Sequence, residues 1–411
     1  MKKKLSRRDF IKAGFVIVGG GAAAGLTKLF GGPVARVLSN AGPRSYLPAV
    51  QYYEPQDDDD PGPQPTQGVT PNPPGSSVVV HVHNTNAHNW TSGQDYWSYV
   101  SQSAVDQMVD RGLMELTGTT TIAAAWRALL PNYKSGEKVA IKISLNNCKD
   151  MNGSANIDAV PEPINALVRG LVGRGVAAQD IIIYDSIRYI PTRFRNGLDN
   201  KSVTLRDTQN NDQFSWPQNY ISFHPPAGIA TPEPHNLNPV VVEATYLINV
   251  PIMKKHYYGS HVSLGFKNHF GSIQKPIKLH GWINPVFNEG PLHYSSNYSP
   301  YIDIYKYIKD TAKTQTILTV GDALFAAKFH DQPPVPWSTF GGQTPKSLFF
   351  AIDPVAIDCV MADFCVAEMS SEIPANHDDY LKLAENAGLG VHERRNPWTQ
   401  AYTRIHYKKI T

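Results

Sequence analysis

Lys138-Val-Ala-Ile-Lys-Ile-Ser144, the run from Pro163 to Gly173, and Ile181-Ile-Ile-Tyr184-Asp185 decide the fold. The first alternates apolar and polar residues as a strand does. The second places Ile164, Leu167, Val168, Leu171 and Val172 at helical spacing, and the third is short and wholly apolar. Strand, helix and apolar strand in that order make a βαβ unit, which calls for a parallel sheet covered on both faces.

Upstream of this unit, Val78–Val82 reads as a buried strand, Ser103–Leu116 as a helix with one apolar face, and Thr120–Leu130 as a second helix stopped by Pro131. Strand patterns return at Thr245–Val250, Ile317–Val320 and Ser347–Ile352, with a helix from about Tyr301 to Thr311. Asp353-Pro354 starts another helix running to about Met369, because Asp caps free N–H groups and Pro suits the first helical position. Residues 188–238 are polar and lack a period, and read as an insertion or subdomain at the sheet edge. The fold class is α/β, with a mainly parallel central sheet and helices on both faces.

Composition fits a globular protein: 41% of residues are hydrophobic and 18% charged. The net charge is only +3 and basic residues are scattered beyond the N-terminus, which excludes a nucleic-acid partner. There are three cysteines, Cys148, Cys359 and Cys365, without a C-x-x-C pair. That count excludes a disulfide framework and argues against an iron–sulfur cluster, which takes four thiolates in its common forms.

Residues 1–41 form a signal segment. Lys2, Lys3, Lys4, Arg7 and Arg8 precede a Gly- and Ala-rich apolar stretch from Ile11 to Phe30. Ser6-Arg7-Arg8-Asp9-Phe10-Ile11-Lys12 resembles the twin-arginine consensus, which implies export in the folded state, the twin-arginine translocase as a partner, and a periplasmic, surface or extracellular location. Contact with the membrane is expected through this segment alone, should it stay uncleaved. Residues 42–76, rich in Pro and carrying Asp57 to Asp60, read as a disordered tether. One large domain, residues 77–411, remains.

Ligands of open parallel sheets sit beyond the carboxyl ends of the strands. Those ends here carry Asn146 and Asn147, Asp185 and Ser186, Lys254 to His256, Asp322 and Asp353. The densest stretch runs from Pro251 to Gly271. It holds Pro251, Lys254 and His256, then Leu264, Lys267, Asn268 and Gly271, and farther on come Val320-Gly321-Asp322 and Asp353-Pro354-Val355-Ala356-Ile357-Asp358.

These elements resemble the domain of unknown function 362 family over most of residues 78–370. The family's Asp-Gly turn is here Gly321-Asp322 followed by Ala323, which puts the role of that turn in doubt. Some relatives carry ferredoxin-type cysteine runs, and this chain has none. The family name implies no activity.

Chemically, Lys254, His256, Lys267 and Asn268 form a candidate catalytic group suited to a ligand with negative oxygens, with Lys267 as a base or nucleophile. Asn146, Asn147, Asp185, Lys255 and His280 are candidates for binding a cofactor. Five of the fourteen histidines fall between His256 and His293, and imidazole is the commonest protein ligand for transition metals. Candidate metal ligands are His256, His261, His269, Asp322 and Asp358; as a half-buried carboxylate, Asp358 needs a partner, and Lys254 or Lys255 would serve. The order His256, Lys267, His280 is similar to the cofactor-binding region of lactate racemase catalytic subunits, where His and Lys hold a nickel-pincer nucleotide. That similarity implies a metal-containing cofactor acquired before export. His81 and His83 share one strand face, as edge-strand histidines would.

The expectation is an exported enzyme, dependent on a metal or cofactor and acting on a small anionic substrate. A non-catalytic binding protein for such an anion, or a tethered surface protein, are the alternatives.

Overall fold

The computed structural model describes residues 77–146, 155–208, 216, 218–256, 262–285 and 290–411. The signal segment, the tether, Asn147, Cys148, Tyr257, Tyr258 and His261 lie outside the described residues. Among those described, no helix is long and apolar enough to cross a membrane.

The strands are β1 (Ser77–His83), β2 (Val139–Ile143), β3 (Ile181–Tyr184), β4 (Thr204–Arg206), β5 (Tyr220–Ile221), β6 (His235–Asn236), β7 (Tyr246–Val250), β8 (Ile252–Lys255), β9 (Val262–Ser263), β10 (Gln315–Ala327), β11 (Ser347–Ala351) and β12 (Ile405–Ile410). The main sheet runs in the order β12-β1-β11-β10-β7-β2-β3-β4, with β8 joined to β10 and β9 to β8, while β5 and β6 form a separate ribbon. Along that order β11 alone is antiparallel to its neighbours; the pairs β12/β1, β10/β7, β7/β2, β2/β3 and β3/β4 are parallel. The α/β class with a mainly parallel sheet holds.

Three features differ from the sequence expectation. Within the stretch read as an insertion, β4 pairs with β3 and closes the sheet as its edge strand. β1 is not an edge strand, because β12 covers its other side; His81 is therefore fully buried, stacked on Phe349 at 4.2 Å and bonded to Tyr407 Oη and Ser347 Oγ. Since β11 runs antiparallel, Asp353 falls at the opposite end of the sheet from the other strand-end residues. There it caps α9 (Pro354–Glu368), accepting from Val355 N and Ala356 N, and its second oxygen accepts from Val391 N.

One face is covered by α1 (Gln102–Thr117), α2 (Ile122–Leu129) and α3 (Pro161–Gly173). The other is covered by α5 (Pro239–Glu243), α8 (Pro300–Lys306), α9 and α10 (Asp379–Asn386). The short helices α4 (Thr192–Gly197), α6 (Gly265–Asn268) and α7 (His280–Ile283) lie in the connections. α9 is buried on every side from Val355 to Cys365, as a helix without a polar face must be.

Helix α1 packs on the sheet through Gly112, where a Cβ would collide with the Phe350 ring. Gly112→Val should therefore destabilise the protein by about 2 kcal/mol. A denaturant midpoint equal to that of the parent would show that this contact tolerates bulk.

Candidate functional site

A cavity of about 440 Å³ opens at the carboxyl ends of β2, β3 and β8, lined among others by Lys142, Arg188, Lys254, His256, Lys267, His280 and His330. Each residue arrives by a different route. Strand β2 is buried along its whole length, so Lys142, read from sequence as its polar alternate, is 1% exposed. Its ammonium donates to Asp185 Oδ2 at 2.9 Å and to Asn268 Oδ1 at 3.2 Å. Burial pulls the Lys142 ammonium below the usual lysine range, with Asp185 opposing the shift.

Pro251 separates β7 from β8, and alternation along β8 sends its two lysines to opposite sides. Lys254 faces the cavity and donates to Ser144 Oγ at 3.0 Å. Lys255 turns away, pairs with Glu372 at 2.7 Å and lies over the Phe329 ring, so it is not among the residues lining the cavity.

The segment carrying Lys267 and Asn268 is fastened from below. Asp358, on α9, accepts from Gly265 N at 2.8 Å and Phe266 N at 3.0 Å, the first two amides of α6. The partners expected for Asp358, Lys254 or Lys255, are thus replaced by backbone amides and by Tyr380 Oη at 3.4 Å. Burial raises its carboxyl to about 7. Gly265 is needed there because a Cβ would lie 2.7 Å from Asp358 Oδ1, and Gly271 because a Cβ would lie 2.5 Å from Lys142 Nζ. Asn268 is held by both neighbours: its Nδ2 donates to Asn249 Oδ1 at 2.7 Å while its Oδ1 accepts from Lys142. Two motifs distant in sequence are therefore one physical unit.

From α6, Lys267 reaches the cavity with its Nζ 3.4 Å from His280 Nε2 and 4.7 Å from the centroid of the Phe270 ring. Burial and the charge of Lys254 lower Lys267 to about 7, and burial lowers Lys254 to about 8. His256 stacks on His330 at 4.7 Å and lies 5.8 Å from His280. Burial holds all three imidazoles neutral, His280 at about 3, His330 at about 4 and His256 well below its ordinary value. Among the described residues no carboxylate lies within ion-pair distance of Lys254, Lys267 or Arg188; the one carboxylate in the lining, Asp185, is engaged by Lys142.

Asn146 also lines the cavity: its side chain donates to the His330 carbonyl, and its own carbonyl accepts from Arg188 Nε at 2.8 Å. Among the described residues, the remaining sequence candidates do not line it. Asp322, expected at a strand end, lies inside β10, which runs on to Ala327; it is 4% exposed and accepts from Leu324 N. His269 packs on Tyr305 with Nδ1 at 3.3 Å from Ser272 Oγ. Among the described residues, no three His, Cys, Asp or Glu side chains are grouped to hold a metal ion. The cationic lining fits a group bound through its own negative oxygens better than a bare cation.

Lys142, Arg188 and His330 escaped sequence reading as site residues. Arg188 follows β3 and His330 follows β10, so a search of every strand end a few residues deeper would have found both; Lys142 had the signal of a lone cation in an otherwise apolar strand.

Sheet and cavity together define an α/β protein with a cavity at the strand ends. The chain belongs to the family described as Domain of unknown function (DUF362), which matches residues 139–363, just over half of it. Among solved structures, it is similar to the lactate racemase apoprotein from Thermoanaerobacterium thermosaccharolyticum, with 14% identity and a TM-score of 0.36. That match covers 64% of this chain and 55% of the other. No curated protein sequence matches.

Proposed function

We propose that this protein is an exported enzyme of the family that binds a small anionic substrate, or the anionic groups of a metal-containing or organic cofactor, in the strand-end cavity. Lys267 serves as base or nucleophile. One observation carries the reading: Lys254, Lys267 and Arg188 line a cavity of about 440 Å³ with no carboxylate within ion-pair distance of them among the described residues. Buried cations with no carboxylate in direct contact are costly, Lys254 feeling Asp158 and Asp322 only at a distance, and an incoming anion offsets that cost. The near-neutral Lys267 amine beside Lys254 has the environment of an activated lysine. His256, held neutral by burial, is the imidazole that would face a cofactor's metal. The twin-arginine resemblance at Ser6–Lys12 supports folded export by the translocase, a route suited to a protein loaded with its cofactor before crossing.

The test is elemental analysis and intact mass on mature protein from a host with a working twin-arginine system, together with thermal shift in phosphate. Near-stoichiometric metal or an extra mass, lost in Lys267→Ala, is the expected result. Phosphate at a hundred times its Kd should stabilise the protein by about 2.7 kcal/mol, and markedly less in Lys267→Ala. Protein of plain mass that still binds phosphate would reduce the site to an anion receptor, and no response to any anion would end the reading.

A further inference from the structure

We propose that Lys267 forms a covalent imine with the carbonyl carbon of a small 2-oxo acid whose carboxylate is held by Lys254 and Arg188. The inference rests on the anion-site reading above and names the substrate class for it.

Three observations meet here. The Lys267 Nζ is not tied to a carboxylate among the described residues; its neighbours are His280 Nε2 at 3.4 Å and the face of Phe270. His280 is set as a hydrogen-bond acceptor. Its Nδ1 lies 3.1 Å from the Pro276 carbonyl, which can only accept, so Nδ1 carries the hydrogen and the lone pair of Nε2 faces Lys267. The third observation is the pairing of an amine with cations: Lys254 and Arg188 share the cavity with Lys267, and a 2-oxo acid has its carboxylate on the carbon next to the carbonyl. A carboxylate held by the cations places its neighbouring carbonyl in the same cavity as the amine. Phe270, Pro276 and Ile277 leave an apolar wall for the rest of the acid.

The chemistry closes without a further reactant. The Nζ lone pair attacks the carbonyl carbon and one nitrogen proton passes to the carbonyl oxygen, which becomes a hydroxyl, while His280 Nε2 accepts from Nζ and orients it. The second nitrogen proton passes to that hydroxyl, which leaves as water as the C=N bond forms. Nothing is oxidised or reduced.

The experiment uses the full-length protein incubated with pyruvate, reduced with borohydride and mapped by peptide mass spectrometry. A reduced pyruvate adduct on Lys267, absent from the other lysines, suppressed by excess phosphate and slowed at least about tenfold in His280→Phe, is expected. Suppression by phosphate is read in the parent protein, so the test survives a variant that fails to fold. An adduct spread over surface lysines, or absent from Lys267, overturns the proposal. If pyruvate and phosphate both raise the melting temperature and no adduct forms, the imine falls and the anion site stands. If neither ligand raises it, both fall.

Discussion

Asp185→Ala should cost the protein about 3–5 kcal/mol of stability, the largest effect expected of any single substitution considered. Lys142 and Asp185 are 1% and 2% exposed on their side chains and meet at 2.9 Å. Removing the carboxylate leaves a buried ammonium with only neutral acceptors, the Ile143 carbonyl and Asn268 Oδ1. The loss should propagate, because Asn268 is held by that ammonium and itself fixes the segment carrying Lys267. Lys142→Met combined with Asp185→Ala removes both charges and should recover at least half of the stability, since a buried pair replaced by apolar groups is often neutral. Urea denaturation of the parent, the single and the double variant decides the matter. A single variant within 1 kcal/mol of the parent would sink the claim, as would a double variant no better than the single.

Lys267→Met should do the opposite, stabilising the ligand-free protein at pH 7 while abolishing its response to anions. The folded-state value of Lys267, about 7, lies below that of an unfolded lysine near 10.4. A depressed lysine contributes stability that is fully present above the unfolded value and is lost as pH falls through the folded value. At pH 7 most of that loss has been incurred. Met conserves the volume and removes the charge, so a gain of roughly 2 kcal/mol follows, discounted from the full shift because part of the side chain reaches solvent through the cavity. Between pH 7 and pH 10.5 the advantage of the variant should shrink toward zero. Comparing the two proteins at both ends of that window cancels the other titrating groups. A variant less stable than the parent by the same amount at both pH values would mean that Lys267 is a packing residue rather than a strained functional one.

These two lysines also mark how far the sequence could be read. The βαβ unit was legible because helical and strand periods leave different spacings, and the Asp353-Pro354 helix start because capping is local chemistry. Lys254, His256, Lys267 and Asn268 were visible as a group because one stretch of chain carries them all, and they do line one cavity. Lys142 was not, since an alternating strand looks the same whether its polar residue meets water or a buried carboxylate across the sheet. Lys255 was drawn into the site by adjacency to Lys254, although neighbours on a strand point to opposite faces. The direction of β11 and the cover that β12 gives to β1 depend on pairings between distant segments, which no local pattern encodes. His81 accordingly looked like an edge residue and is buried. The role of Asp358 depended on the same kind of distant contact, two amides nearly a hundred residues earlier in the chain.

The place of β1 has a mechanical side. Because β1 runs in the same direction as the strands whose carboxyl ends form the cavity, Ser77 sits at the far end of the sheet from that opening. The described body therefore begins on the side away from the entrance. A pull on Ser77 along the strand does not peel β1 from an edge. It loads the rows of hydrogen bonds to β11 and β12 together, in shear, with six paired positions on the β12 side alone. The first strand of the described body is thus one of those best placed to bear tension without loading the cavity at the other end.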